Sequence, residues 1–247
     1  CYAEGIAARF SGPGQPFEGF AELTEKGPRW TRKVALLLEK LDEPLRTKKP
    51  TTWFISMSDL FHEGLTNEEI ALVFAVMALS YWHTFQVLTK RAERMAAWFA
   101  WAAGGRHVWE AGQGMTMPRG KDKPAPGWPL PNVWLGVSVE AASYKRRLDD
   151  LRASPAAVKF CSLEPLLEDL GEIDFTGIDQ AIAGAESGRG ARPMHEGWVR
   201  SIRDQAALSG TAFFYKQRLD DRGHKVSLPL LDGRRWAEMP AAREAAQ

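Results

Sequence analysis

The segment Val133-Trp-Leu-Gly-Val-Ser-Val-Glu140 decides the fold, because it is an apolar, valine-rich stretch that stops abruptly at polar residues. Branched and aromatic side chains of this kind favour a β-strand. Five further segments share the design: Thr52–Asp59, Thr84–Arg91, Val158–Glu164, Ile178–Glu186 and Thr211–Gln217. The sequence therefore predicts six strands, each ending in charged or hydroxyl side chains.

Helical patterns lie between these strands. Thr66 and Glu69 form a capping-box signature in front of an apolar stripe that begins at Ile70. Residues 91–103, 142–151 and 195–208 also have helical periodicity. The alternation of strand and helix predicts parallel strands joined by right-handed crossovers.

Such an alternation fits either a sheet that curls toward a barrel or an open, doubly wound sheet. No Gly-x-Gly-x-x-Gly follows a strand, and polar residues close nearly every strand instead of the two beside one switch point. We therefore predict an α/β fold, a partial (β/α) TIM-like barrel, over residues 1–217. Residues 104–131, rich in Gly and Pro, are predicted to be a long loop or insertion. Residues 218–247 are predicted to be a C-terminal extension with a loosely held tail.

Composition narrows the class of protein. A hydrophobic fraction of 45% and a charged fraction of 26% are ordinary for a globular chain of 247 residues. With 32 basic and 31 acidic residues, the whole-chain charge gives no reason to expect nucleic acid or an anionic membrane. No apolar run approaches the ~20 residues that span a bilayer, and two cysteines make no disulfide framework. A soluble protein of the reducing cytoplasm, without a membrane partner, is predicted.

The polar residues at the strand ends are the candidate functional residues. They are Ser58, Asp59, Lys90, Arg91, Ser138, Glu140, Glu164, Glu186 and Lys216. If the strands are parallel, these side chains converge on one mouth. Carboxylates in one cavity repel each other, so nearby lysines and arginines or bound cations are needed to keep them ionised. The mouth therefore predicts a polar ligand of mixed charge.

Residues 183–192 form a glycine-rich turn between a predicted strand and a predicted helix. Gly184 and its neighbouring glycines allow the backbone to approach a ligand closely, while Arg192 can hold a carboxylate or phosphate. A flexible turn and an anion cradle both remain compatible with this pattern. Hydrolytic metal sites are poorly supported, because the five histidines are scattered and no His-Glu-x-x-His occurs.

Seven short motifs, in order along residues 1–217, resemble one known family. They are Cys1-Tyr-Ala-Glu4, Ser56-Met-Ser-Asp-Leu-Phe-His62, Phe85-Gln-Val-Leu-Thr-Lys-Arg91, Leu135-Gly-Val-Ser-Val-Glu140, Ser162-Leu-Glu-Pro-Leu-Leu167, Gly184-Ala-Glu-Ser-Gly188 and Phe214-Tyr-Lys-Gln217. The chain is similar to the phage and bacterial gp-thirty-seven/gp-sixty-eight family, a radical-SAM-like group with a three-cysteine motif. The resemblance implies a TIM-like partial barrel of the radical SAM type.

The same resemblance implies a [4Fe-4S] cluster and S-adenosylmethionine as cofactors. Cys1 matches the third cysteine of the motif, and three thiolates would leave one iron open for the amino and carboxylate groups of S-adenosylmethionine. The chain starts at Cys1 without methionine, so we expect the other two cysteines upstream and no stable cluster on this chain alone.

By the same analogy, two groups of residues receive roles in the mouth. Ser58 and Asp59 would bind the methionine amine, with Ser138, Glu140 and Glu186 at the ribose or sulfonium and Gly184 beside them. The remaining polar residues, Lys90, Arg91, Glu164, Arg192 and Lys216, are the candidates for binding the substrate.

Two hypotheses remain open. The first is a radical-SAM-like iron–sulfur enzyme that acts on an unidentified polar substrate. The second is a non-redox barrel in a phage-related system, which binds a nucleotide or nucleic acid by placing Lys90, Arg91, Arg94 and Arg192 on phosphates.

Overall fold

The computed structural model describes residues 2–117, 122, 127–188 and 190–240. Its N-terminal part contains helix α1 (Tyr2–Arg9), strands β1 (Ala21–Thr24) and β2 (Gly27–Trp30), and the short helix α2 (Glu43–Arg46). β1 and β2 form an antiparallel hairpin. Ala3 and Ala7 are buried, one helical turn apart, where α1 packs against this hairpin.

A seven-stranded sheet forms the body of the protein. Its strands, in spatial as well as sequence order, are β3 (Thr52–Ile55), β4 (Thr84–Thr89), β5 (Val133–Ser138), β6 (Val158–Leu163), β7 (Gln180–Gly184), β8 (Ala212–Leu219) and β9 (Lys225–Ser227). β3 to β8 pair in parallel, and β9 joins antiparallel to β8. The prediction of six parallel strands is confirmed, although β3 is shorter than the predicted segment and β8 extends beyond residue 217. The sheet curls into a half-barrel, a form of α/β fold.

Helices follow the strands and cover the outer face of the sheet. They are α3 (Asn67–Leu79), α4 (Ala92–Trp101), α5 (Arg106–Ala111), α6 (Arg147–Ala153) and α7 (Glu196–Leu208). The capping box predicted before α3 is present, because the Thr66 hydroxyl accepts from the Glu69 N–H and the Glu69 carboxylate accepts from the Thr66 N–H. His195 caps α7 by accepting from the Gly197 N–H at 3.1 Å.

The glycine- and proline-rich stretch 104–131 is not all loop. It contains helix α5, which packs against α3 and buries Val108. Gly104 and Gly105 precede α5 with positive φ angles of 73° and 74°, a conformation that glycine adopts without strain. The glycine- and proline-rich composition therefore led to the prediction of a loop, although the stretch contains a short helix. Residues 118–121 and 123–126 lie outside the described residues.

The C-terminal segment packs against the last strands of the sheet. After β9, strands β10 (Leu230–Leu231) and β11 (Arg234–Arg235) form a second hairpin. The Tyr215 N–H donates to the Trp236 carbonyl at 2.8 Å, and the Gln180 side chain donates to the Glu238 carbonyl at 2.9 Å. The predicted loose tail, residues 241–247, lies outside the described residues.

The two faces of the sheet have different surroundings. Alternate residues such as Leu135, Val137 and Cys161 belong to the continuous core shared with the helices. Phe160 is equally buried but is absent from that core, because it lies on the inner, concave face. Its ring lies so close to Gly136 that a Cβ there would come within 2.3 Å of it. Glycine at position 136 is thus a steric requirement of the inner face.

Among the residues that the structure describes, no helix has the length and apolar character needed to cross a bilayer.

Candidate functional site

The parallel arrangement of β3 to β8 brings the predicted polar residues to one edge of the sheet, which we call the mouth. It consists of Asp59, Lys90, Arg91, Glu140, Glu164, Glu186, Arg192 and Lys216. Each follows a strand or lies near its carboxyl end, which is where barrel proteins build their sites. Ser58 lies in the turn before Asp59 and is exposed.

Asp59 is the most heavily bonded residue of the mouth. Its Oδ1 accepts from the Thr89 hydroxyl at 2.6 Å and from the Phe61 N–H at 3.1 Å. Its Oδ2 accepts from Arg91 Nη1 at 2.9 Å and from the Lys90 N–H at 3.2 Å. Asp59 therefore joins the loop after β3 to the end of β4 by three hydrogen bonds, and the fourth lies within its own loop.

Glu140 continues this network onto β5. Lys90 Nζ lies 2.6 Å from Glu140 Oε1, and Arg147 Nη1 lies 3.0 Å from Oε2. The same Arg147 nitrogen donates to the Ser138 carbonyl at 2.7 Å, and this hydrogen bond connects the start of α6 to the end of β5. Burial raises the pKa of Glu140, but the hydrogen bond from Lys90, a backbone hydrogen bond and the charges of Lys90 and Arg147 outweigh burial and leave the pKa below its ordinary value.

Glu164 and Lys216 form an ion pair that crosses a strand. Lys216 Nζ lies 2.7 Å from Glu164 Oε2, although β7 separates β6 from β8. The residue of β7 at this level is Gly184, and a Cβ on it would lie 3.3 Å from both Glu164 Cδ and Gln217 Cγ. Because Gly184 has no side chain, the Glu164 carboxylate has room to lie beside it. Gly184, predicted to bind cofactor, has this packing role in the structure.

Glu186 forms a closed pair with Arg192 across the glycine-rich turn. Arg192 Nε and Nη2 donate to the two carboxylate oxygens at 2.8 and 2.7 Å, and the Arg192 N–H adds a third bond at 2.9 Å. These side-chain and backbone hydrogen bonds lower the pKa of Glu186 to about 2. In the structure, Arg192 binds the protein's own Glu186 carboxylate, so the anion cradle for a ligand stays a prediction. Residue 189 lies outside the described residues.

Sequence reasoning missed two residues of the site. Arg147 had no motif to mark it, since its partner Glu140 lies seven residues away, just after the end of β5. Ser162 stands beside Ser138 in the sheet register and has the same alternation relative to Glu164 as Ser138 has to Glu140. That period of two was the signal that could have identified Ser162.

The cations proposed for phosphate binding already have partners. Arg91 pairs with Asp59 and also with Glu63, at 2.7 Å, while Lys90 and Arg192 pair with glutamates as described. Arg94 donates to the Asn67 side chain at 2.7 Å, so it contacts the start of α3 and no mouth residue among those described. The mouth therefore presents compensated charges instead of a basic patch.

The described residues do not supply ligands for an iron–sulfur cluster. Among them, no group of three His, Cys, Asp or Glu side chains is placed to hold a metal ion. Cys161 faces the helix core, and burial raises the pKa of its thiol to about 12, so it stays protonated. Cys1, the predicted metal ligand, lies outside the described residues.

An apolar groove of about 630 Å³ lies elsewhere, in the helix layer between α2, α3 and residues 115–117. Leu45, Val76 and Met117 are among its lining residues. It contains none of the predicted site residues.

Fold and site together define a half-barrel α/β protein with a polar, charge-compensated mouth at the carboxyl ends of its parallel strands. The chain belongs to the family described as protein of unknown function (DUF5131), whose model matches residues 1–240. No curated protein and no solved structure matches the chain.

Proposed function

We propose that the chain is the partial barrel of a radical-SAM-like iron–sulfur enzyme, and that its mouth binds S-adenosylmethionine and a polar substrate. The observation that carries this proposal is the set of carboxylates that follow β3, β5, β6 and β7, each held by a lysine or arginine. S-adenosylmethionine has a sulfonium, an ammonium and a carboxylate, so it needs anionic and cationic groups side by side. The ion pairs of the mouth can exchange partners with such a ligand without leaving a buried charge alone.

In this proposal the residues of the mouth bind and orient the ligands. Asp59 and Glu140 would face the cationic groups of S-adenosylmethionine, and Arg192 or Lys216 an anionic group of cofactor or substrate. A bound cluster would supply the electron that cleaves the sulfonium reductively. Because the described residues offer no thiolate for it, the ligand set would have to include Cys1 and cysteines outside this chain. A reducing compartment, the cytoplasm, would suit those thiolates.

The nucleic-acid alternative is supported less well. Phosphate contacts need lysines and arginines that are free to approach the backbone. Lys90, Arg91 and Arg192 are each bonded to a carboxylate. A phosphate would have to displace these carboxylates, which would then repel it.

The cluster is tested with full-length protein reconstituted anaerobically with iron and sulfide. Wild type should show thiolate-to-iron absorption and roughly four irons per chain, and Cys1→Ala should lose both while keeping its far-ultraviolet dichroism. Cys161→Ala is the matched control and should keep both, because Cys161 lies in the helix core. Full iron content in Cys1→Ala would overturn the cluster.

S-adenosylmethionine binding is tested by calorimetry on the same protein. Glu140→Gln and Glu186→Gln should each weaken binding about tenfold, which is ~1.4 kcal/mol. Glu110→Gln is the control, because Glu110 pairs with Arg106 on the exposed side of α5. Unchanged affinity in both mouth variants would remove the cofactor from the mouth.

A further inference from the structure

We infer that the hydroxyls of Ser138 and Ser162 form a ligand-binding pair on the inner face of the half-barrel, for an uncharged polar group attached to a planar, apolar body. This inference rests on the proposed function, because it names what the same mouth would bind below its charges.

The two serines are direct neighbours in the sheet. Ser138 ends β5, Ser162 lies in β6, and the two are register partners in the parallel ladder. Side chains at paired positions of adjacent parallel strands point to the same face, about 4.8 Å apart. Both residues are nearly buried, with 4% and 6% of their surface exposed.

Their hydroxyls differ from the other buried serine and threonine hydroxyls of the described residues. Ser154 donates to the Asp150 carbonyl at 2.9 Å and Thr211 to the Ile178 carbonyl at 2.9 Å. Thr89 donates to Asp59, and Ser80 to the Val76 carbonyl. Within residues 2–117, 122, 127–188 and 190–240, the hydroxyls of Ser138 and Ser162 have no hydrogen-bond partner. Nearly buried polar groups normally have one.

The unpartnered hydroxyls are open to the inner face. Three side-chain atoms in the described part of the chain are sealed from solvent without a partner: Trp53 Nε1, Tyr215 Oη and Arg218 Nε. The serine oxygens are not among these sealed atoms, so a small probe reaches them. A ligand in the half-barrel can therefore accept from, or donate to, both hydroxyls at once.

The surroundings select an uncharged polar group. One level above the serines, the carboxylates of Glu140 and Glu164 are already neutralised by their lysine and arginine partners. Across the sheet, Ser162 is paired with Ile182 of β7, which is paired with Phe214 of β8. The Phe160 ring lies two residues before Ser162 on β6 and therefore on the same face. A hydroxyl or amide on a ring that rests against these apolar side chains matches this environment.

The role of these two hydroxyls can be tested through the melting temperature of variants that lack them. Removing an unpartnered, nearly buried hydroxyl takes away no protein hydrogen bond, so Ser138→Ala and Ser162→Ala should leave Tm unchanged or raise it. Removing a hydroxyl that has a hydrogen-bond partner should instead lower Tm. Ser154→Ala and Thr211→Val, as matched controls, should lower Tm by roughly 2–4 °C.

Binding is tested with adenosine as the probe, because it is uncharged and has a planar ring and adjacent hydroxyls. Calorimetry on the full-length protein should detect adenosine at millimolar concentration or below, and each inner-face serine variant should bind it at least fivefold more weakly. Ser154→Ala should bind it like wild type. Glu110→Gln, which changes the exposed Arg106–Glu110 pair on α5, should also leave adenosine affinity unchanged.

Each outcome decides the inference. Weaker adenosine binding without a loss of Tm in the serine variants supports the hydroxyl pair. Equal affinity in wild type and serine variants, no binding by wild type, or a Tm loss equal to that of the controls overturns it. Failure of S-adenosylmethionine to bind, with adenosine binding still sensitive to the serines, would reject the proposed cofactor and retain the pair.

Discussion

The two halves of the mouth hold their charges in different ways. In the half formed by β3, β4 and β5, Asp59, Thr89, Lys90, Arg91, Glu140 and Arg147 belong to one continuous network. In the half formed by β6, β7 and β8, the pairs Glu164–Lys216 and Glu186–Arg192 stand separately. Arg147 is largely covered, whereas Arg192 is 58% exposed on its side chain.

This difference indicates which charged side chains stabilise the fold and which can exchange their partner for a ligand. A carboxylate with several half-buried donors cannot leave without orphaning all of them, so the network half should be rigid. An exposed pair such as Glu186–Arg192, with side chains 29% and 58% exposed, contributes little and reopens at small cost. We expect this pair to exchange with a ligand and the network to position it.

Asp59→Ala should have the largest effect on stability. The substitution leaves the Thr89 hydroxyl, the Lys90 N–H and the Arg91 guanidinium without their shared acceptor. Losing the acceptor of several partly buried donors should lower the free energy of unfolding by about 3 kcal/mol. Urea unfolding followed by dichroism measures this change.

Glu63→Ala is the matched control for Asp59, because Glu63 also pairs with Arg91 but is 66% exposed on its side chain. It should cost less than about 0.5 kcal/mol. Equal losses in the two variants would mean that Asp59 is one more surface partner of Arg91, and the distinction between the halves would disappear.

Glu140→Gln should lower the free energy of unfolding by about 1–2 kcal/mol at neutral pH, since it removes the charge between Lys90 and Arg147. The pKa of Glu140 is lower in the folded protein than its ordinary value. Its contribution is therefore present above the unfolded pKa and is lost as pH falls through the folded one. Unfolding of both proteins at several acidic pH values should show their difference shrinking toward zero. A difference that persists at the lowest pH would assign the effect to packing.

The sequence was sufficient to predict the six parallel strands of the sheet and the capping box. An apolar stretch that stops at a polar residue marks both a strand and its polar end, as at Glu140, where a half-buried glutamate directly follows the buried Val139. The pairing of charges was beyond sequence reasoning. Arg146 and Arg147 are adjacent and chemically identical, yet Arg146 lies 3.9 Å from exposed Glu93 while Arg147 bonds to Glu140. The two arginines differ only in the direction in which each projects from the start of α6 relative to the sheet.

The N-terminal hairpin and α5 were missed for a different reason. β1 and β2 are four residues each, and β2 contains Pro28, which lowers strand propensity. α5 has six residues between glycines, too few for a helical period to stand out. Both elements are specified by packing, α1 on the hairpin and α3 on α5, which no local pattern encodes.

Of Asp59, Glu140 and Glu186, the last should contribute least to stability, although its pKa is shifted further than that of Glu140. Hydrogen bonds from the side chain and backbone of Arg192 lower the pKa of Glu186 from 4.5 to about 2. Arg192 is largely exposed, so solvent screens the pair and Glu186→Gln should shift Tm at pH 7 by less than roughly 3 °C.

The pH window of this pair separates it from the network half. Its stabilisation is complete above the unfolded pKa of 4.5 and is lost as pH falls from 4.5 toward 2. Carbon-13 NMR of the Glu186 carboxyl should show a titration near pH 2 in wild type and a return toward the ordinary value in Arg192→Gln. Lys216→Gln is the control, because Lys216 is bonded to Glu164, and it should leave the Glu186 titration in place. If Glu186 instead titrates normally in wild type, the pair is already open in solution. Its arginine would then be free for a ligand, and the exchange expected of this half would need no displacement of the carboxylate.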